Sequence, residues 1–405
     1  MHLFLSSYLV ISSFCGWILP FLIPLIVEEL TGSAFYTATT YAVSYLPYFL
    51  IMPIGGALAD VFNKKSMMQI LELVNVLLIG SLIIAISISK HIGITLLLHF
   101  MLCSVVAVQH PVFQGMIPSI VSQENAKDFH AYTGIINNTI ALIAPGLTGL
   151  LLIYFDKKAL FYGLLGGYAL SFLLISWVPY HHHDIQKEWG IKAITKGLKE
   201  AFIYVRSEPF FKHTIIFFAL NCFSNSFIAA NLIHHLKHCH GISAAYVSYY
   251  HIPMGLGSII GSILATYIVG RLTSVQIILY ASTIKAITTW ALLFSPQVWF
   301  LISLRALKNA LASIIIVAYF TQRQKIAPAH LLSRTVAITR MLAWAPIPLA
   351  SVSSGFLFDI TQNFQYLIIG SGLTLSLALV ACWHGLMLAE LPLQEERVPS
   401  QGYQP

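Results

Sequence analysis

Charge is what this sequence has least of. Only 9% of its 405 residues are Asp, Glu, Lys or Arg, against 57% hydrophobic residues; an ordinary soluble domain carries about a quarter charged residues. So little charge cannot cover a water-facing surface of this size. That excludes a soluble globular protein and leaves lipid as the main solvent. The five cysteines, Cys15, Cys103, Cys222, Cys239 and Cys382, are scattered, mostly inside apolar runs, and lack the paired spacing of a disulfide or zinc framework. A nucleophile–base constellation, a phosphate loop, a cofactor motif and an ATP-binding domain are also missing. Neither an enzyme nor a primary pump is expected, and no cofactor and no metal.

What the chain has instead is long apolar runs. They fall near 3–27, 35–58, 67–88, 94–113, 131–154, 160–179, 211–235, 244–269, 275–295, 298–321, 335–357 and 365–388. A bilayer-spanning helix needs about 20 apolar residues. In lipid each run must satisfy its own backbone hydrogen bonds, so each is expected to be a helix. The first run lacks a basic start and a small-residue cleavage site and exceeds a signal core in length, so it is read as the first span. The fold class is then an all-α membrane protein of twelve transmembrane helices. Its organisation reads as a six-helix half at 1–180, a cytoplasmic linker at 181–210, a second six-helix half at 211–388 and a cytoplasmic tail at 389–405. Polar loops at 114–130 and 322–334 occupy matching places in the two halves, which suggests a duplicated unit. In the linker, Trp189, Ile191, Ile194, Leu198, Phe202 and Val205 alternate with Lys192, Lys196, Lys199 and Glu200. That pattern suits an amphipathic helix on the inner leaflet, and equally a plain connecting helix.

The net charge of +7 raises the question of nucleic acid, but its distribution answers it. With the N-terminus inside, fourteen of the 22 Lys and Arg residues fall on the cytoplasmic side and only Lys90, Lys157, Lys158 and Lys237 outside. This is the positive-inside bias, with both termini cytoplasmic and the chain multi-pass in the cell inner membrane. The basic charge thus belongs to topology; nucleic acid is not an expected partner.

After the second run comes Gly55-Gly56-Ala57-Leu58-Ala59-Asp60-Val61-Phe62-Asn63-Lys64-Lys65. It resembles the signature joining segments two and three of the major facilitator superfamily, with Val61 and Asn63 in place of the usual Arg and Gly. Pro111 to Gln114 with Ile117-Pro118 and Val121, and Thr321-Gln322-Arg323 through Pro328 to Arg334 followed by the Arg340 to Pro348 run, resemble one branch of it. That branch holds macrolide efflux pumps and siderophore exporters such as those of enterobactin. Ala144-Pro145-Gly146-Leu147-Thr148-Gly149 is similar to the antiporter motif of segment five, with two glycines replaced.

The resemblance implies roles. Gly56, Asp60, Lys64 and Lys65 would form a gate latch, Asp60 facing the start of segment eleven near Thr335, or would serve only as a positive-inside anchor. Pro145 and Gly149, like Pro346 and Pro348, would bend their helices, as structural kinks or as hinges. Segment ten would line the central cavity.

Ionisable residues inside spans are rare and functional by default. Here they are Glu72, Lys285, Arg305, Lys308 and Arg340. Arg305 and Lys308, three apart, share one helix face, with Asn309 beside them. Two cations without an acid in the same helix point to an anionic substrate; the alternative is that Arg305 snorkels outward and Lys308 meets a carbonyl. Glu72 is the one acid well inside a span. It is either a proton-coupling site or a structural ion near Lys64 or Lys65. Arg340, near the inner interface, is a gate candidate. His99, His251 and His384 also fall within spans; His99 and His251 are cavity candidates, and His99 a second proton-coupling candidate. The run His234-His235-Leu236-Lys237-His238-Cys239-His240 offers soft ligands but reads better as a solvated loop, as does His181-His182-His183-Asp184.

The expected function is a secondary active transporter that exports a small anionic or amphipathic metabolite, a carboxylate-type siderophore or a drug-like compound. It would act by proton antiport and alternating access. An importer of such a molecule on the same fold, or a non-transporting membrane sensor or scaffold, are the alternatives. The expected partners are the substrate, protons and the bilayer, with the chain as a monomer.

Overall fold

The computed structural model describes the chain apart from residues 1, 60–61, 90, 118–119, 121–132, 134–135, 137–138, 141–142, 145–146, 181–190, 270, 296, 329–331 and 396–405. It is all helix but for turns and one isolated bridge, Val269 to Leu272. The helices used below are α1 (His2–Thr31), α2 (Ala34–Leu50), α3 (Met52–Ala59), α4 (Lys64–Ile84), α5 (Ile92–Met116), α6 (Lys157–Trp177), α7 (Ile191–Ser207), α8 (Pro209–Ala229), α9 (Leu232–His238), α10 (Ile252–Ile268), α11 (Ser274–Ala291), α12 (Val298–Ile326), α13 (Leu332–Trp344), α14 (Pro346–Thr361) and α15 (Phe364–Glu395).

Ten helices among the described residues are long and apolar enough to cross a bilayer. The expected span at 35–58 is split at Ile51 into α2 and α3, so neither piece alone reaches spanning length. The expected span at 131–154 is described in part: residues 147–154 are helical, whereas 131–132, 134–135, 137–138, 141–142 and 145–146 lie outside the described residues. Polar caps start several helices. Asn63 accepts from the Ser66 N–H at 3.1 Å and Asp156 from the Ala159 N–H at 2.8 Å, replacing partners that first-turn N–H groups lack. At Pro346 the helix is interrupted for one residue: α13 stops at Trp344, the Ala345 N–H still donates to the Met341 carbonyl at 3.0 Å, and Pro346 opens α14. A proline has no N–H to give the preceding turn and suits the first helical position.

By packing, the chain divides into two compact units. The first comprises Met1–Ala193, Ile228–Gly255 and Ile347–Phe364; the second comprises Ile194–Phe227, Leu256–Pro346 and Gln365–Pro405. This division cuts across the sequence halves, because two segments from the second half pack into the first unit.

In the first unit, α4 packs on α5 and α6, and α1 on α2 and α6. Gly55 lets α3 approach α5 closely: a Cβ there would lie 2.8 Å from Val108 Cα. The segment Ile347–Phe364 is tied to the start of α2 by Asp359. Its carboxylate accepts from the Ser33 hydroxyl at 2.6 Å and from the N–H groups of Ala34 and Phe35 at 2.8 and 3.1 Å. A carboxylate at a helix N-terminus meets both free donors and the positive end of the dipole. Asp359→Ala is therefore expected to cost about 1–3 kcal/mol and to lower the thermal unfolding midpoint of purified protein by several degrees. An unchanged midpoint would remove this tie from the fold.

In the second unit α11 packs along α12. Gly257 and Gly261 of α10 also lie against α12, at the backbone of Ala306 and Ala310, where a Cβ on either glycine would collide. Small residues four apart let membrane helices touch backbone to backbone. They seat α10 on the same stretch of α12 that carries Arg305, Lys308 and Asn309.

Candidate functional site

Buried ionisable groups of the described membrane helices occur in both units. In the second unit, Arg305 and Lys308 are both buried on α12, and Lys285 is buried on α11. Lys285 Nζ donates to Asn221 Oδ1 of α8 at 2.8 Å, so it faces a neighbouring helix. Arg305 and Lys285 are the charges that bear on Lys308. No Asp or Glu occurs between Glu208 and Asp359 or within the span Phe364–Met387, so the described spans of this unit contain no carboxylate, against the buried cations Lys285, Arg305, Lys308 and, at a span end, Arg323. Arg305 is not a snorkelling residue: only 6% of it is exposed. Asn309 is half-buried beside the pair. Arg340, by contrast, is exposed and stacks its guanidinium 4.4 Å over the Trp344 ring, a cation–π contact. Arg323, assigned to the cytoplasm by sequence, ends a span and is buried, 4.4 Å over the Phe320 ring.

In the first unit Glu72 of α4 is fully buried. Oε1 accepts from Tyr8 Oη at 2.9 Å and Ser12 Oγ at 3.0 Å, and Oε2 accepts from Asn75 Nδ2 at 3.4 Å. These partners are neutral donors from α1 and α4, in place of the expected Lys64 or Lys65. Those two lysines are half-exposed at the start of α4, where Lys64 lies against Gly115. His99 is also fully buried; its Nε2 is 2.9 Å from Ser44 Oγ, and Cys103 Sγ is within 3.9 Å of the ring. His251 places Nδ1 3.2 Å from the Val247 carbonyl and its ring edge-on to Phe21 at 5.1 Å, a packing arrangement within this unit. His384 is exposed. Gly56 is helical and Gly149 is a buried helical residue, whereas Asp60, Pro145 and the histidines at 181–183 lie outside the described residues.

The histidine run differs from its sequence reading as a solvated loop. Helix α9 continues to His238, and His234 is buried. Both rings converge on Glu28 at the end of α1, a carboxylate with 1% exposure that sequence reasoning missed. His234 Nδ1 lies 2.9 and 3.0 Å from its two oxygens, and His238 Nε2 lies 2.5 Å from Oε1. Thr37 Oγ1 donates to Oε2 at 2.5 Å. The break before α9 aims these rings: Asn231 is fully buried there and donates through Nδ2 to Ser354 Oγ at 2.8 Å. Glu28 therefore stands beside Glu72 as a second acid buried within a span. The adjacent pair Glu28-Glu29 was the available signal, but acids at a helix end ordinarily read as solvated. Glu29 is the half-exposed one, ion-paired with Lys157.

A groove of about 380 Å³ between α4 and α5 is lined by Ser81, Ile84, Ala85, Ile88, Ile94 and Leu98. Its apolar lining, with Ile88 80% exposed, is a lipid-facing surface and touches neither cluster.

Membrane-length apolar helices that bury ionisable side chains are the arrangement a transport protein needs. The chain belongs to the Major Facilitator Superfamily, whose pattern it matches over residues 5–351. Its fold is similar to the crystal structure of the nucleoside transporter NupG (14% identity, TM-score 0.73, covering 94% of this chain and 98% of that one). It is equally similar to a bacterial homologue of the iron transporter ferroportin in the inward-facing state (14%, 0.72, 95% and 99%). A bacterial homologue of the human lysosomal transporter Spinster, inward-facing and unoccupied, follows (12%, 0.68, 96% and 95%). At such identities the likeness is one of fold. No protein of curated function matches the sequence.

Proposed function

We propose that this transporter is a secondary active exporter of a small organic anion, of the carboxylate-siderophore class, driven by protons and working by alternating access. The observation that carries the substrate class is the buried Arg305, Lys308 and Lys285 in spans without a carboxylate. Burying a cation in a span costs roughly 2.5–3.5 kcal/mol on insertion scales, and an anionic ligand offsets that cost. Arg305 offers a planar two-pronged donor and Lys308 a point charge, so together they suit separate carboxylates, with Asn309 as a neutral donor. Export follows the resemblance to the efflux branch. The proton carrier in this reading is Glu72, with His99 as the second candidate. The halves at 1–180 and 211–388 are the moving bodies, latched by Asp60 and its neighbouring lysines. The protein works as a monomer in the inner membrane with both termini cytoplasmic.

Everted vesicles test the reading. Vesicles with an imposed pH gradient should accumulate carboxylate substrates at least tenfold over neutral analogues of equal size, and a protonophore should stop accumulation. Equal uptake of charged and neutral analogues ends the anion reading. Transport that survives the protonophore and merely equilibrates identifies a facilitator.

A further inference from the structure

The Glu28 cluster has no part in the anion reading, and its geometry points elsewhere. We propose that Glu28, His234 and His238 form a binding site for one divalent transition-metal ion of the zinc class. One carboxylate oxygen and the two imidazole nitrogens that face it are the ligands.

The donor set is the first argument. Imidazole nitrogen with carboxylate oxygen is a common set for zinc, cobalt and ferrous ions. The three ligand atoms lie within 4.8 Å of one another. His234 and His238 are four residues apart on one helix, which stacks their rings with centroids 4.4 Å apart and 25° between planes and turns one nitrogen of each toward the same carboxylate. Metal–ligand bonds of about 2.0–2.1 Å in a tetrahedral site set donors about 3.3 Å apart. The present ring–carboxylate separations of 2.5–3.0 Å need to widen by about 0.3–0.8 Å to reach that spacing.

The surroundings are the second argument. Thr37 holds the carboxylate from behind through its hydroxyl at 2.5 Å, and the His234 ring meets Phe358 edge-on at 5.2 Å. Both groups fix ligand orientation, which is what outer groups do in metal sites. Access is built in as well. The Glu28 side chain is fully buried, but the His238 side chain is 49% exposed, at the helix end where it is free to swing. That open edge leaves room for water as a fourth ligand. With a metal bound, each neutral ring carries its single proton on the nitrogen facing away from the ion, so the N–H contacts that now join ring and carboxylate are replaced by metal–ligand bonds. The ion would join the end of α1 to α9, whose residues are 206 positions apart in sequence.

The test is a cobalt titration of the full chain, purified through a tag that contains no histidine. Co²⁺ reports geometry through its visible d–d absorption. Wild-type protein should bind one equivalent with a low-coordinate spectrum, displaced by Zn²⁺. Glu28→Gln and His238→Ala should each weaken binding at least tenfold. His235→Ala is the control: its ring stacks on Phe364 at 3.9 Å, away from the carboxylate, so binding should stay as in wild type. Arg305→Gln with Lys308→Gln should also keep the spectrum, which separates this site from the anion reading. Wild-type protein that gives no cobalt spectrum, as a site holding only protons would, overturns the proposal. So does undiminished binding in His234→Ala with His238→Ala. The wild-type titration decides the matter even where a variant fails to fold.

Discussion

Arg305→Gln combined with Lys308→Gln is expected to reduce transport of carboxylate substrates by a hundredfold or more, while the protein inserts and unfolds normally or becomes more heat-resistant. The two halves of this result have one cause. Both side chains are buried in spans that lack any Asp or Glu, so in the empty protein each carries the desolvation cost of a charge held away from water. Replacing buried charges with neutral groups of similar size is often neutral or stabilising. In the loaded protein the same groups make charge-assisted hydrogen bonds, each contributing roughly 1.5–3 kcal/mol, or about tenfold to a hundredfold in affinity. Arg305→Lys should fall between, because the charge stays and the two-pronged geometry goes. Flux and thermal unfolding measured on the same preparations check this. Unimpaired anion transport by the double variant would dispose of the anion site; lost transport with collapsed stability would make the pair structural.

Glu72→Gln is expected to abolish gradient-driven accumulation, by two orders of magnitude or more, and to leave substrate exchange across vesicles without a gradient. Exchange needs the protein to move only while loaded with substrate, whereas accumulation needs a group that gains and loses a proton. Glutamine keeps the shape of the side chain and one acceptor for Tyr8 and Ser12, but it turns an N–H toward the Asn75 amide, costing about 1–3 kcal/mol. The fold tolerates that and the titration disappears. His99→Ala is the comparison. His99 sits against Ser44 and Cys103, partners other than those of Glu72, so its loss should leave accumulation within a fewfold. Accumulation that persists in Glu72→Gln and fails in His99→Ala would reverse the assignment, and accumulation that fails in neither would remove both.

Local features of this protein are legible in the amino-acid sequence. The apolar runs mark the helices because a span must be apolar and must satisfy its own backbone, both properties of a short window. Pro346 marks a helix break because the missing N–H is a property of that residue alone. Arg305 and Lys308 stand out because charge in a lipid-embedded run is costly wherever it is. The break at Ile51 is less visible: the run 35–58 carries no charge, and hydropathy is blind to continuity.

Composition and hydropathy thus determined by themselves that this is an all-helical membrane protein, which stretches are apolar enough to cross a bilayer and which charges are out of place in it. Tertiary structure alone decided which charges meet. Glu72 finds hydroxyls on α1, 64 and 60 residues away, in place of the lysines close to it in sequence. Glu28, an acid at a helix end, is buried because α9 and the segment Ile347–Phe364 pack over it within the first unit. A window of sequence records what a residue costs in lipid or water. Whether that cost is met, and by which partner, depends on helices that are neighbours only once the chain has folded.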